Sequence, residues 1–324
     1  MNTNDLVARL TAITDFVTPF AVQAACELGI PDAIGDVPVP VEELAERVCC
    51  QPEPLRRLLR TLSRKEIFVE VEPGSFGLGT LGHLLRTEHP ASLHAANLPW
   101  LPRIQALNSL AYSIRTGKSA FEHVHGVTVW EYLAGHPEDS ALFDRQMRSI
   151  SGFEATSLLR SYDWPSAGTV VDVGGGDGLL LDAVLREHTG LKGVLVDLPQ
   201  VVGNAVGPFD TVAGDFFEMD LPGTGDLYVL KRIVYGFADD QVLRLLANVR
   251  AAARTGAKVL VVEPFSSDTA DEPYFTHRVD LQMLACPGGR VRSERRLGEL
   301  LETSGFTVTR TVASATPAIE ACAR

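Results

Sequence analysis

Residues 171–178 read Val-Asp-Val-Gly-Gly-Gly-Asp-Gly, an apolar run that ends in an acid and then in a cluster of glycines. This pattern predicts a buried strand over Thr169–Val173, a tight turn through the glycines, and a helix over Leu179–His188. Because glycine carries no side chain and tolerates unusual backbone angles, such a turn lets a ligand approach the main chain. The octet therefore constrains the chain to a parallel α/β sheet with a ligand site at one strand end.

The spacing of the glycines indicates which kind of ligand the turn accepts. Gly174, Gly176 and Gly178 alternate with single residues, whereas a dinucleotide fingerprint has the spacing Gly-x-Gly-x-x-Gly. Asp177 would lie near a diphosphate and repel it, while a sulfonium and an ammonium group would be attracted to an acid there. S-adenosylmethionine therefore fits this turn better than NAD does.

A second acid follows the next predicted strand. Gly193–Val196 is apolar and ends in Asp197, and an acid at this position can accept hydrogen bonds from both hydroxyls of a ribose. Since NAD and S-adenosylmethionine both contain that ribose, Asp197 alone does not separate the two cofactors.

Composition and charge exclude several classes of protein. The chain has 324 residues, of which 45% are hydrophobic, and no apolar run approaches the ~18 residues of a membrane span. Its net charge of −12 opposes binding to nucleic acid, whose affinity for proteins comes largely from Lys and Arg. The five cysteines are scattered, which predicts neither disulfides nor a metal site. The polar N-terminus favours a cytoplasmic location.

Residues 1–100 are predicted to form a winged-helix domain. Helical patterns over Leu6–Leu28, Val41–Arg47 and Pro54–Arg64 precede two short strands, Ile67–Glu72 and Ser75–Leu78. Winged helices often bind DNA, but this region has eight Lys and Arg against thirteen Asp and Glu. Dimerisation is the favoured role, and the apolar face of residues 6–30 is the candidate interface.

Residues 101–165 are predicted to be a helical linker, and residues 166–324 a Rossmann-like catalytic domain. The linker contains Trp130, Phe143 and Met147, which are candidates for the lining of a substrate pocket as well as for core packing. Beyond it, five apolar runs alternate with helical patterns, which predicts a doubly wound parallel sheet. The tail adds two strands, expected as an antiparallel edge. The predicted strands are Thr169–Val173, Gly193–Val196, Asp210–Ala213, Asp226–Leu230, Lys258–Val262, Phe306–Val312 and Pro317–Ala323.

Four motifs in this order resemble the small-molecule O-methyltransferase family of plant phenolic and bacterial natural-product enzymes. They are Asp172–Gly178, Asp197–Val201, Gly214–Phe217 and Leu230-Lys231, and the similarity extends from about residue 15 to the end of the chain. The resemblance implies a homodimer that acts on a small aromatic or unsaturated biosynthetic intermediate, with S-adenosylmethionine as its cofactor. It also implies a cofactor site formed by Gly174, Gly176, Asp197, Leu198, Asp215, Phe216 and Lys231.

The chain departs from the family pattern at the catalytic base. Family members read Leu-Lys-x-x-Leu-His-Asp-Trp after the fourth strand, and the histidine removes the proton of the substrate hydroxyl. Here Tyr235 occupies the histidine position. Of the two acids that support the histidine, one is retained as Glu263 and the other is replaced by Val291. A phenol with a reference pKa near ~10 is a poor base at neutral pH, so ordinary proton abstraction is not expected of Tyr235.

Three chemical routes remain open from the sequence. Methyl transfer to N, C, S or an acidic O could proceed by proximity alone. Alternatively, Glu263 or His277 could act as the base, with Tyr235 as a hydrogen-bond donor. Thirdly, the protein could bind the cofactor without methylating, as hydroxylase-like and decarboxylase-like relatives do. A winged-helix regulator with a vestigial cofactor site is a further alternative. The candidate substrate-binding residues are Trp130, Phe143, Met147, Arg232, Asp280 and Met283.

Overall fold

The structure is a computed structural model that describes residues 2–267 and 273–324. It divides the chain into two compact units. The first consists of Met1–Pro99 with Arg145–Ile150, and the second of Trp100–Asp144 with Ser151–Arg324. The segment 101–165, predicted as a separate linker, is thus shared between the two units.

The first unit combines five helices with a small antiparallel sheet. Its strands are β1 (Val39–Pro40), β2 (Phe68–Glu72) and β3 (Ser75–Leu78), in the order β1-β3-β2. Its helices are α1 (Thr3–Ile13), α2 (Val17–Glu27), α3 (Ile30–Ile34), α4 (Val41–Arg47) and α5 (Pro52–Ser63). Short 3-10 turns follow at Gly82–Leu85 and Ala95–Asn97. Helices followed by a hairpin are the predicted winged-helix arrangement, and β1 is a third strand that the sequence pattern did not indicate.

The predicted helix over Leu6–Leu28 is two helices, so the prediction of one continuous element was wrong. α1 ends at Ile13, and Asp15 accepts hydrogen bonds from the backbone nitrogens of Val17 and Thr18, which starts α2. None of the side chains of α1 is buried within the chain. Apolar residues of this segment are therefore exposed, namely Leu6, Val7, Leu10, Ile13, Phe16, Val17 and Phe20.

The second unit is built on a seven-stranded sheet in the order β6-β5-β4-β7-β8-β10-β9. Its strands are β4 (Gly168–Val173), β5 (Leu191–Asp197), β6 (Asp210–Ala213), β7 (Leu227–Lys231), β8 (Lys258–Val262), β9 (Phe306–Val312) and β10 (Ala318–Ala323). The first five strands are parallel, and β10 pairs antiparallel with both β8 and β9. This sheet confirms the predicted α/β fold and its antiparallel edge.

In the part of the chain that the structure describes, ten helices accompany this sheet, and residues 145–150 of α10 belong to the first unit. They are α6 (Leu101–Asn108), α7 (Leu110–Thr116), α8 (Ala120–His125), α9 (Val129–Gly135), α10 (Pro137–Ser161), α11 (Leu179–Glu187), α12 (Pro199–Val202), α13 (Asp239–Ala252), α14 (Tyr274–Ala285) and α15 (Glu294–Thr303). Among the described residues, no helix combines the length and apolar character needed to cross a membrane.

Both faces of the sheet are covered by apolar side chains. Val170 and Val171, neighbours on β4, belong to two different hydrophobic clusters, as expected when successive side chains point to opposite faces. The register pairs Val173 with Val196 and Lys231 with Val262, so the parallel strands end close to one another. The loops after these strands therefore gather at one edge, where open α/β sheets bind ligands.

Candidate active site

The glycine turn after β4 combines close packing at Gly174 with open space at Gly176. Both residues have positive φ, +72° and +65°, in the left-handed region that favours glycine. A Cβ atom on Gly174 would lie 2.4 Å from Cδ1 of Ile233, whereas one on Gly176 would meet no atom within 4 Å. The backbone at Gly176 is thus accessible to a ligand, and Gly174 lets the loop after β7 pass close by.

Asp197, at the end of β5, is joined to this turn. Its Oδ2 accepts a hydrogen bond from the backbone nitrogen of Gly176 at 2.8 Å, and its Oδ1 accepts one from that of Leu198 at 2.7 Å. Burial raises the pKa of Asp197, and the two backbone hydrogen bonds oppose the increase. Each carboxylate oxygen keeps a further lone pair, so the group can still accept hydrogen bonds from a diol.

The loop after β6 places an aromatic side chain beside the glycine turn. Oδ1 of the exposed Asp215 accepts a hydrogen bond from the backbone nitrogen of Phe217 at 2.8 Å, which shapes the turn. The half-buried Phe216 lies beside the glycine turn, because a Cβ on Gly174 would be 3.4 Å from its ring. Phe216 also packs edge-on against Phe217 and Phe237, with ring centroids 4.8 and 5.9 Å away. An aromatic face and a free carboxylate oxygen suit an adenine ring.

Asp172 is a site residue that the sequence reasoning used only as part of a motif. Its side chain is buried beneath Gly175, where an added Cβ would lie 2.5 Å from the carboxyl group. Its Oδ1 has no hydrogen-bond partner among the described residues. Burial raises the pKa of Asp172 to about 7, while the charge of Lys231 opposes the increase. A buried, unpaired carboxyl oxygen under the turn attracts cationic ligand groups.

These features fit S-adenosylmethionine. Gly176 leaves space at the main chain, Asp197 can bind the ribose, Phe216 and Asp215 can flank the adenine, and Asp172 supplies part of a negative charge near the turn. When bound, this cofactor supplies a methyl group that the positive sulfonium makes electrophilic. The residues predicted for the cofactor site from β4, β5 and β6 therefore lie together at one edge of the sheet.

Lys231, which the family resemblance places near the cofactor, is held by α10. Its Nζ donates to Oγ of Ser151 at 2.9 Å and lies 3.0 Å from Oε2 of Glu154. Burial lowers the pKa of Lys231, and the charge of Glu154 opposes the decrease. The same Glu154 binds Arg232 through both carboxylate oxygens and accepts a hydrogen bond from Thr316 at 2.6 Å.

Glu154 was not recognised from the sequence, which indicated Arg232 only as a candidate substrate-binding residue. It is separated from Arg232 by 78 positions, so no local spacing reveals the pair. The available signal was a carboxylate four residues before Leu158, on the buried face of α10. Burial alone would raise the pKa of Glu154, but the hydrogen bonds and charges of Arg232 and Lys231 lower it to about 2.

Tyr235 lies in a 3-10 turn, Val234–Gly236, directly after β7. Its hydroxyl oxygen accepts a hydrogen bond from Nη1 of Arg232 at 3.2 Å, and its ring packs against Val279, Val291 and Met283. Burial raises the pKa of Tyr235, while the charge of Arg232 opposes the increase. Tyr235 is therefore a neutral phenol at physiological pH.

Glu263, the other predicted catalytic residue of this region, is fully buried. Its Oε2 accepts a hydrogen bond from the backbone nitrogen of Tyr235 at 2.9 Å, and its Oε1 has no partner among the described residues. Burial raises the pKa of Glu263 to about 7. Its contacts are those of a residue that shapes the turn carrying Tyr235.

The remaining predicted residues fall in several places. His277 is exposed on α14, two positions before Val279. Asp280 accepts a hydrogen bond from the backbone nitrogen of Val291 at 2.7 Å and so ties α14 to the following loop. Trp130 packs against Phe143 and Phe237, with ring centroids 6.1 and 5.9 Å away. Met147 belongs to the first unit.

Arg292 is a second residue that sequence reasoning missed, although it directly follows the noted Val291. Its side chain is completely buried, and its guanidinium donates to the backbone carbonyls of Val234 and Phe237 at 3.0 and 2.7 Å. Its Nε also donates to Oδ1 of Asp239 at 2.7 Å. Arg292 thus fixes the backbone on both sides of Tyr235.

An α/β sheet with a glycine turn, an acid at the next strand end and an aromatic side chain beside the turn is typical of transferases that use a nucleoside-type methyl donor. Comparison with known protein families matches an O-methyltransferase domain to residues 107–307 and an O-methyltransferase dimerisation domain to residues 10–88. The chain belongs to the O-methyltransferase family.

Individual relatives agree with this assignment. O-demethylpuromycin-O-methyltransferase from Streptomyces alboniger is 38% identical over 315 residues, which cover 93% of this chain and 84% of the relative. The crystal structure of LaPhzM is 31% identical, covers 100% of both chains, and has a TM-score of 0.92. A crystal structure of the O-methyltransferase NcsB1, from neocarzinostatin biosynthesis, contains S-adenosyl-L-homocysteine and 1,4-dihydroxy-2-naphthoic acid. It is 32% identical, covers 97% of this chain and 98% of that chain, and has a TM-score of 0.81.

These findings confirm that the protein is an S-adenosylmethionine-dependent methyltransferase. They favour methyl transfer over the non-methylating enzyme and over the winged-helix regulator that the sequence left open. The roles of the individual site residues stay predictions.

Proposed function

We propose that this enzyme works as a homodimer and methylates a hydroxyl oxygen on a small aromatic intermediate of natural-product biosynthesis. The proposal rests on the short distance between the proposed cofactor site and the turn that contains Tyr235. Ile233, two residues before Tyr235, lies against Gly174 of the glycine turn. The names of the relatives support the acceptor class. One methylates O-demethylpuromycin, and another was crystallised with a dihydroxynaphthoic acid.

The reaction requires an oxygen lone pair and a route for one proton. The acceptor oxygen forms a bond to the methyl carbon while the carbon–sulfur bond breaks, and the electron pair of that bond goes to sulfur. The hydroxyl proton goes to solvent. Gly176, Asp197 and Phe216 hold the donor, so that the chain contributes alignment, which can lower a barrier by several kcal/mol, roughly 7–11 in well-oriented intramolecular reactions.

No imidazole removes the proton in this mechanism. Tyr235 is buried and neutral, and phenols with raised pKa values do not accept protons at pH 7. Glu263 has no exposed surface and is bound to the backbone of Tyr235, so it cannot touch an acceptor hydroxyl without a rearrangement. His277, the remaining candidate base, has an exposed side chain on α14 and is given no role in this mechanism. Proximity and alignment are therefore the proposed source of the rate.

The homodimer is proposed from the first unit. The dimerisation family covers residues 10–88, and the apolar side chains of α1 and the start of α2 are exposed in the isolated chain. Exposed apolar patches of this kind usually mark protein interfaces. Burial of this patch against a second copy would remove it from water.

The test follows the methyl group. Purified enzyme is incubated with methyl-labelled S-adenosylmethionine and with either O-demethylpuromycin or 1,4-dihydroxy-2-naphthoic acid as acceptor. We expect labelled O-methyl product and S-adenosylhomocysteine in equal amounts from at least one acceptor. At limiting S-adenosylmethionine, Gly176→Ala should reduce the amount of product, whereas Gly256→Ala, a glycine of similar φ (+86°) outside the site, should not. Acceptor consumption without S-adenosylhomocysteine would contradict the proposal.

A further inference from the structure

The hydroxyl of Tyr235 has its proton available for donation. Arg232 donates to the oxygen at 3.2 Å, and a guanidinium has no acceptor atoms, so the phenol is the acceptor in this hydrogen bond. Within residues 2–267 and 273–324, no carboxylate or carbonyl accepts the phenolic proton. Polarisation by the neighbouring cation makes the hydroxyl a stronger donor.

Arg232 is held in an unusual conformation for this role. Its φ is +60°, a left-handed value that non-glycine residues seldom adopt, and it occurs where β7 ends. The bidentate contact with Glu154 fixes the guanidinium, and only 11% of the Arg232 side chain and 9% of the Glu154 side chain are exposed. Backbone strain of this kind persists where surrounding contacts over-determine it and is common at functional sites.

The charged groups around Tyr235 place one cation, Arg232, directly at its hydroxyl. On its own strand end, Lys231 and Arg232 share the carboxylate Glu154 from α10, and the charge of Lys231 also acts on the buried Asp172, whose pKa is raised to about 7. On α14, His277 and Arg278 are exposed, and Arg278 lies over the Phe275 ring at 5.3 Å. Asp280 of α14 binds the backbone of Val291, and Arg292 pairs with Asp239. Burial raises the pKa of Glu263 to about 7, so it carries only part of a negative charge at neutral pH.

We propose that Tyr235 and Arg232 form an anion-recognising pair for the acceptor, and that the acceptor is a hydroxyl acidic enough to bind as its oxyanion. This proposal rests on the proposed function and names its substrate class: phenols or enols conjugated to a carbonyl or a similar electron-withdrawing group. Tyr235 donates to the oxyanion, and Arg232 is a positioning residue that acts through the Tyr235 hydroxyl. The site selects an ionised acceptor, and the proton is lost before methyl transfer.

A spectroscopic probe tests the pair without turnover. 4-Nitrophenol becomes yellow when it ionises, so absorbance reports the ionisation of the bound probe directly. The probe is titrated with pH in the presence of saturating enzyme and S-adenosylhomocysteine. We expect the acid dissociation constant of the bound probe to be about tenfold larger than that of the free probe, the size of one charge-assisted hydrogen bond.

Three variants separate recognition from packing. Tyr235→Phe keeps the ring against Val279, Val291 and Met283, and Arg232→Lys keeps the charge without the fork; each should return the probe to nearly its free dissociation constant. Tyr162→Phe is the control, because the Tyr162 hydroxyl also lies in a buried network, with Glu320 at 2.6 Å, far along the chain from this turn. It should leave the shift unchanged.

Several outcomes would overturn the proposed pair: a probe bound in its neutral form, no saturable binding of the nitrophenolate, or an equal shift in Tyr235→Phe.

A second measurement compares kcat/KM for naphthols with nitro, formyl or methoxy substituents, and we expect kcat/KM to fall as the acceptor becomes less acidic. Equal rates for all of them would contradict the pair and leave O-methylation intact. If the acid dissociation constant of the bound probe increases as expected, but neither the naphthols nor the acceptors tested above are methylated, the result would contradict O-methylation instead.

Discussion

Glu263 Oε2 accepts a hydrogen bond from the backbone nitrogen of Tyr235 at 2.9 Å. In the family pattern an acid at this position supports a catalytic histidine. In this chain the Tyr235 hydroxyl accepts a hydrogen bond from Arg232, its ring packs in an apolar cluster, and Glu263 holds the backbone of the turn. Glu263 therefore fixes the backbone of the turn and does not contact the Tyr235 hydroxyl in this structure.

The buried Glu263 makes stability depend on pH. Its pKa is raised from 4.5 to about 7, so the folded state binds a proton more tightly than the unfolded state does. The stabilisation that protonated Glu263 contributes is fully present below pH 4.5 and is lost as the pH rises through about 7. Glu263→Gln should remove this loss, on the order of 2 kcal/mol between pH 5 and 8. Urea unfolding across this range measures it.

Glu320→Gln is the matched control, because Glu320 is also buried but has the opposite shift. Burial would raise its pKa, yet hydrogen bonds from Tyr162, Lys258 and Thr309 lower it to about 2. Its contribution is present above pH 4.5 and is lost only as pH falls toward 2. Glu320→Gln should therefore lower stability by a constant amount between pH 5 and 8. An unchanged pH slope in Glu263→Gln would show that Glu263 is not the group responsible.

Gly176→Ala should weaken cofactor binding and lower the stability of the fold only modestly. The alanine methyl would enter the open space beside the main chain, and φ of +65° costs an L-residue roughly 1–2 kcal/mol. Gly256→Ala has the same open surroundings and φ of +86°, so its loss of stability should be similar. Calorimetry with S-adenosylhomocysteine should show at least about a tenfold weaker affinity for Gly176→Ala only. Equal affinities would remove Gly176 from the cofactor site.

The cofactor side of the site could be predicted because its information is local. The glycine octet, Asp197 at a strand end and Phe216 after the next strand each lie in a short motif, and parallel topology brings such strand ends together. Strand limits differed by one or two residues, as at Leu191–Asp197, where the sequence predicted Gly193–Val196. Fraying at element ends explains differences of this size.

The contacts of Arg232 and Arg292 could not be predicted, because they join distant segments. Glu154 meets Arg232 only when α10 packs beside the end of β7, and the carbonyls that Arg292 binds have no sequence pattern at all. The break between α1 and α2 was missed for a local reason. Asp15 caps the second helix from inside a run whose apolar spacing is otherwise continuous.

Arg292→Met should destabilise the fold and distort the turn with Tyr235. The substitution leaves Asp239 without one cation and the carbonyls of Val234 and Phe237 without donors, and breaking a buried pair costs roughly 3–5 kcal/mol. Arg295→Met removes an exposed i,i+4 pair with Glu299 and should cost no more than about 0.5 kcal/mol. Thermal unfolding of both variants compares these costs. Equal losses of stability in the two variants would contradict a structural role for Arg292.

Leu10→Glu should convert the dimer to a folded monomer. Leu10 is 62% exposed in the isolated chain and lies on α1, which buries none of its side chains, so the substitution costs the fold little. In a dimer that buries this patch, an unpaired carboxylate would be expensive. Val206→Glu, at an 88% exposed position of the second unit, should leave the mass unchanged. Light scattering should therefore give half the wild-type mass for Leu10→Glu alone, and a wild-type monomer or a dimeric Leu10→Glu variant would move the interface away from α1.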